Sequence, residues 1–195
     1  MACNITLADV SFTCEDLGIG GLKSVYLGNK SDLSTEKESV TTQTDYTPVT
    51  VSNGTVTVTP DPDTAKGLHT DTDVTFVQFN LKDGFSVFSE VKTVSADGVV
   101  SSVPTISIEI PKMSKEHRNA LDNLAKPGAE LVAFVETAAG TYHMVGWEYG
   151  LYASTVDGNS GTGRSEKNRY QITLTGEEDS LSYNIESTEW SKVIA

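Results

Sequence analysis

The side chains able to do chemistry are carboxylates, hydroxyls and three histidines, and their spacing limits what each could do. His69, His117 and His143 stand far apart and none sits in a His-Glu-x-x-His frame, so a zinc hydrolase has no helix face on which to gather its ligands. Cys3 and Cys14 are too few for a disulfide framework and, without neighbouring histidines, too few for a zinc site. They read as two reduced thiols. Asp157-Gly158-Asn159-Ser160-Gly161 has the alternating oxygen donors that open a calcium loop, but the bidentate glutamate that should close the shell is Asn168. A flexible loop is expected there. Asp61/Asp63 and Asp71/Asp73 lie in a polar connector and read as solvated acidic loop. Glu177-Glu178-Asp179 could do acid and base work only if one carboxyl were buried with a raised pKa, and three in a row at a strand end read as exposed. Gly-x-Ser-x-Gly, Walker and dinucleotide glycine patterns do not occur. No catalytic residue, cofactor or metal is expected.

Asn4, Asn29 and Asn53 head Asn-x-Ser/Thr triplets, which would need a secretory route. The start Met-Ala-Cys-Asn has neither a basic nor an apolar leader region, so no such route is expected. Trp147, Tyr149 and Tyr152 fall in one expected strand, with Trp147 and Tyr149 on one face and Tyr152 on the other. Core or subunit interface is the expected use of such aromatics, with stacking on a sugar as the alternative.

The elements that must carry these residues are mostly strands. Valine and isoleucine alternate with abundant threonine and serine, the composition of pleated, half-buried sheet. Leu22–Leu27 is a first strand. Residues 28–47 are polar and read as a long exposed loop or arm. Val49–Thr59 places Asn53-Gly54 between two Val/Thr runs, the signal for a type I′ hairpin. With little apolar content, this hairpin either packs on the main sheet or projects and pairs elsewhere. Val74–Leu81 and Phe85–Val94 are expected to pair as a hairpin across Asp83-Gly84. Asp97-Gly98 marks another turn, and Ile106, Ile108 and Ile110 share one face of a strand that Pro111 ends. Met113–Ala125 is the one expected helix: Ser114 caps it, Leu121 and Leu124 lie on its apolar stripe, and Pro127-Gly128 stop it. Leu131–Glu136 and Tyr142–Tyr152 form a further hairpin, Ser154–Lys167 a Gly- and Ser-rich loop, and Tyr170–Thr175 a strand with Tyr170, Ile172 and Leu174 on one face. The tail Leu181–Ile194 reads as a last strand.

At 195 residues the chain suits a single domain, residues 1–195, with a polar arm or hairpin at about 28–60. Its longest apolar runs, such as Leu131–Val135, are far too short to span a bilayer. The 27 acidic against 14 basic side chains give a net charge of -13, which disfavours binding to nucleic acid.

Gly146-Trp147-Glu148-Tyr149-Gly150-Leu151, then Thr162-Gly163, then Tyr170-Gln171-Ile172-Thr173-Leu174-Thr175-Gly176-Glu177-Glu178 resemble tail-tube-like virion proteins of tailed phages, particularly those infecting Bacteroidetes. Gly20-Gly21-Leu22-Lys23-Ser24-Val25-Tyr26-Leu27 is similar to the opening of the same group. The likeness covers the two ends of the chain. It departs at Glu166-Lys167-Asn168-Arg169, where the group's pattern has small residues with Asp/Asn-Gly.

The resemblance implies an antiparallel β-sandwich or half-barrel with one flanking helix at about 113–125 and long polar loops. It further implies a homo-oligomeric ring, hexameric in the group, that stacks into a tube. DNA would pass through an acidic conduit without specific binding. Tape-measure and terminator proteins would be further partners, with no membrane involved. The site would be the virion tail, after synthesis in the bacterial cytoplasm. Assembly contacts are then expected from the polar segments, at Glu36, Glu38, Thr42, Asn53, Gly54, Asp157, Asn159 and Arg164. The alternatives are a carbohydrate-binding β-sandwich using Trp147 and, behind it, a glycoside hydrolase, whose two carboxylates would face each other across roughly 5 to 9.5 Å.

Overall fold

The computed structural model describes residues 20–34, 37, 46–60, 76–81, 86–163 and 166–194. Eleven strands and three helices alternate along these residues. They run β1 (Leu22–Asn29), α1 (Lys30–Ser34), β2 (Val49–Ser52), β3 (Thr55–Val58), β4 (Phe76–Asn80), β5 (Val87–Val94) and β6 (Val100–Pro111). After these come α2 (Lys115–Leu124), β7 (Leu131–Thr137), β8 (Tyr142–Val145), β9 (Tyr152–Asn159), β10 (Arg169–Thr175), β11 (Tyr183–Asn184) and α3 (Ser187–Ile194). The fold is mainly β and every strand pair is antiparallel.

Two sheets face each other, one ordered β11-β8-β7-β1-β4 and the other β5-β6-β10-β9. Strand period decides what meets between them. Val25, Leu27, Ala133, Val135 and Val145 point from the five-stranded sheet toward Ile106, Ile108, Ile110, Ile172 and Leu174 of the four-stranded one, with Leu121 of α2 added. A register shift between Leu22 and Ser24 lets Leu22 join the same face as Val25 despite their odd spacing. The three isoleucines and the stripe Tyr170, Ile172 and Leu174 are thus inward, as their alternation predicts.

The opposite face of the five-stranded sheet is covered as well. Tyr26, Val132, Phe134 and Met144 pack against Val49, Val56 and Val58 of the β2–β3 hairpin, Leu33 of α1, and Trp190 and Val193 of α3. Central strands β1 and β7 are therefore buried on both sides, which is why Leu131–Val135 reads as an unbroken apolar run rather than an alternating one. The hairpin turns on Asn53 (φ 50°) and Gly54 (φ 79°), the left-handed pair that a type I′ turn requires. It packs inward rather than projecting.

Several expectations are corrected. Residues 28–47 are not simply an exposed loop, because α1 buries Leu33 completely, Tyr46 is buried, and Lys37 bridges Tyr46. β4 and β5 do not form a hairpin: β4 pairs with β1 in one sheet and β5 with β6 in the other. The expected strand from Tyr142 to Tyr152 breaks at Gly146–Gly150, and β9 crosses to the second sheet.

The expected loop from Ser154 is strand as far as Asn159. Gly158 is there because a Cβ would come within 2.8 Å of the Tyr170 ring, so it marks close packing rather than a turn. The tail holds a two-residue strand and then a helix, α3, with Trp190 and Val193 buried at a spacing of three. Pro104 sits inside the twelve-residue β6 where its missing N–H faces Gly176, just past the end of β10 at Thr175, so the ladder skips one bond there and resumes at Ser102 with Glu178. Among the described residues no helix is long and apolar enough to cross a membrane.

Candidate functional site

The four-stranded sheet ends on both sides in an eight-residue strand with no neighbour among the described residues, β5 on one edge and β9 on the other. Hydrogen-bond parity shows which groups face those edges. Ser102 exchanges both backbone bonds with Glu178, at 2.7 and 2.8 Å. Its β5 partner Lys92 is therefore a non-bonded pair and turns its own N–H and C=O away from β6, into the open edge. The same alternation carried through β10 directs the backbone of Val156 to the open edge of β9. The sheet's outer surface is made of hydroxyl and short apolar side chains: Ser89 and Val91 on β5, Val103, Thr105 and Ser107 on β6, Thr173 and Thr175 on β10. Its main charged feature is Glu109, buried beneath Lys167 and Arg169, which both pair with it.

At the β6 N-terminal end, a carboxylate network ties the turn after β8, the loop between β10 and β11 and the strand β5 together. Glu178 extends the β10–β6 register beyond Thr175 and is only 6% exposed. Its carboxylate accepts from the backbone N–H of Glu148 (2.8 Å) and of Tyr149 (3.2 Å). Glu148 reciprocates, accepting from the N–H of Asp179 (2.6 Å), the Ser180 hydroxyl (2.7 Å) and the Tyr183 hydroxyl (2.9 Å). Glu90 of β5 accepts from the N–H of Ser182 at 2.6 Å, and the His143 ring lies beside Phe88.

Burial pushes the Glu178 carboxyl above the ordinary carboxylate value, although two N–H groups donate to it. For Glu148 burial acts the same way, but the donors from Ser180, Asp179 and Tyr183 outweigh it and hold the carboxyl below that value. His143 is lowered by burial, with Glu90 opposing in part. The acceptors of both Glu148 and Glu178 are engaged by donors of the chain itself, and the turn they clasp depends on Gly146. A Cβ at Gly146 would lie 2.6 Å from the Leu151 side chain and 2.8 Å from the Leu131 carbonyl oxygen.

The expected assembly residues that lie among the described residues are found in two different places. Asn53 and Gly54 form the turn of the outer hairpin, in the layer beyond the five-stranded sheet. Asp157 and Asn159 lie on the edge strand β9, where Asn159 accepts from the N–H of Gly161 at 2.8 Å. Glu36, Glu38, Thr42 and Arg164 lie outside the described residues, as do Cys3, Cys14, His69 and the paired aspartates at 61, 63, 71 and 73.

Trp147 and Tyr149 do not share a strand face, because they sit in the turn after β8. Trp147 packs on the second core, while Tyr149 is exposed with its hydroxyl donating to Asp179 at 2.9 Å. The Glu177–Asp179 triplet is not simply exposed, since its middle member is buried. Glu90, Glu148 and Ser182 escaped the sequence reading because they meet across separations of up to 92 residues. The return of Glu178 to the β10 register was the one legible signal. No family model, no curated protein and no solved structure matches the chain.

Proposed function

We propose that this protein is a structural subunit that assembles with copies of itself, edge to edge through its four-stranded sheet, into closed rings that stack as the tube of a phage tail or a related virion component. The carrying observation is the pair of eight-residue edge strands that have no neighbour among the described residues. Three antiparallel steps separate β5 from β9, so they run in opposite directions. β5 of one copy therefore meets β9 of the next in antiparallel order and continues the sheet without changing its pattern. Such a contact is heterologous, joining two different surfaces, and gives a ring when the rotation closes. Closure removes the edges that would otherwise template aggregation.

The resemblance of the chain's two ends to tail-tube-like proteins supports the same reading. The net charge of -13 supports a conduit along which DNA slides without being held. Tail proteins that terminate or measure the tube are the further partners, and the role is scaffolding rather than catalysis.

The test is Lys92→Pro, which removes an N–H from the open edge while leaving the β6 ladder intact. Negative-stain microscopy of the parent at high concentration should show rings or tubes, and the variant should melt like the parent yet stay monomeric. A parent that stays monomeric throughout, or a variant that assembles as well as the parent, would overturn the reading.

A further inference from the structure

The two ends of the longest strand differ in charge and in shape. Beyond Glu90 on β5 and Ser101 on β6 the hairpin leaves the body of the sandwich, and residues 91–100 are exposed on both faces. Val91, Val94 and Val99 are each more than 60% exposed, an unusual use of aliphatic side chains at the tip of a hairpin. Beside the tip lies a groove of about 500 Å3 with apolar walls from Val99, Val100, Tyr149 and Tyr152. Its rim carries Glu177 and Asp179, both exposed, and Asp97 sits at the hairpin turn, three carboxylates against the single exposed cation of the hairpin, Lys92.

At the other end of β6, on the order of 36 Å away by strand rise, Pro111 leads into Lys112, Lys115 and Arg118 around the first turn of α2. All three are exposed; Glu116 lies among them and Arg118 pairs with Asp122 at 3.5 Å, so this end carries three cations against two carboxylates. In a chain of net charge -13, a basic end facing away from an acidic, apolar-walled one is a head and a tail of complementary sign.

We infer that the β5–β6 hairpin end docks along the strand axis onto the Lys112–Arg118 end of a second copy of this chain. This rests on the assembly reading above and assigns its axial contact. The valines and the groove supply apolar area. The aliphatic stems of lysine and arginine lie along Tyr149 and Tyr152 while their charged heads reach Glu177 and Asp179. Opposite charge sets the polarity, because acidic-to-acidic stacking is repelled.

Two variants test this, neither touching the β5 or β9 edge: E177K/D179K reverses the acidic end and K115E/R118E the basic end. Each alone should form rings but lose stacking, because both of its ends then carry the same sign. An equimolar mixture should regain stacks. Tubes from either variant alone, matching the parent's in length, would overturn the axial assignment and leave ring formation standing. A mixture that stays as separate rings would also overturn it. Failure of the parent to form any ring is the separate result that removes the assembly reading, and the axial assignment with it.

Discussion

Glu148 joins the turn after β8 to the loop that leads from β10 into β11. Replacing it with alanine leaves the backbone N–H of Asp179 and the hydroxyls of Ser180 and Tyr183 without their acceptor. The expected cost at neutral pH is about 1 to 3 kcal/mol, the range for a donor left without its acceptor. The pH dependence has a definite sign. The folded Glu148 carboxyl lies below its ordinary value, so its contribution is present above the ordinary carboxylate range and is lost as pH falls through the depressed folded value. Parent and Glu148→Ala melting curves should therefore converge in acid, which denaturation at a series of pH values would check.

Glu178 acts in the opposite sense. Its raised carboxyl favours the protonated fold, giving a contribution that is full below the ordinary range and lost as pH rises through the raised folded value. At Gly146 the backbone has φ 83° and the added methyl has no room, so Gly146→Ala combines left-handed strain of about 1 to 2 kcal/mol with a clash against Leu151. Urea denaturation should show a loss larger than the strain alone. A loss within the strain figure would mean that the turn can shift to admit the methyl.

Among the elements, α3 decides whether the outer layer exists. The β2–β3 hairpin has a well-formed turn but little apolar surface of its own, and two-stranded hairpins are marginal in isolation. Trp190 meets Tyr26 edge-on at 5.5 Å and stacks on Tyr142 at 4.7 Å, while Glu189 of the same helix accepts from the N–H of Val58 at 2.7 Å. Trp190→Ala should cost about 3 to 5 kcal/mol. The loss should come with early hydrogen exchange in β2 and β3, because the helix that covers them has lost its anchor. The same substitution leaves the α2 side of the molecule untouched, so amides of β9 and β10 should keep their relative protection.

On the scale of the whole molecule, the two open edges are separable parts of one contact. Lys92→Pro blocks the β5 edge and Val156→Pro the β9 edge, each at a residue whose backbone faces outward. Under the proposed assembly, each variant alone has one usable edge and no complement for it. Mixed together, the intact β5 of one should pair with the intact β9 of the other and stop there, giving a capped pair of twice the 20.9 kDa chain mass by analytical ultracentrifugation. Two variants that remain separate in the mixture would count against edge-to-edge continuation, provided each melts as the parent does.

Local rules were enough for the parts of this protein in which cause and effect lie close in sequence. Asn53-Gly54 set a type I′ turn, Asp97-Gly98 a hairpin connection, and Ser114 a helix start whose side chain accepts from the His117 N–H. The alternation at Ile106, Ile108 and Ile110 determined an inward face. Period two says which side of a strand is apolar but not which strand lies beside it. The parting of β4 from β5 into different sheets was therefore decided only by packing, as was the crossing of β9 to the second sheet.

The tail was misread for a related reason. Trp190 and Val193 fit a helix once there is a sheet face to cover, and that face is built by β1, β7 and β8, more than 40 residues earlier in the chain. The candidate site was the least legible part. An open edge is a property of a finished sheet, and the burial of Glu178 follows from loops that meet only after both sheets have formed, because desolvation and unpaired backbone are set by neighbours in space rather than in sequence.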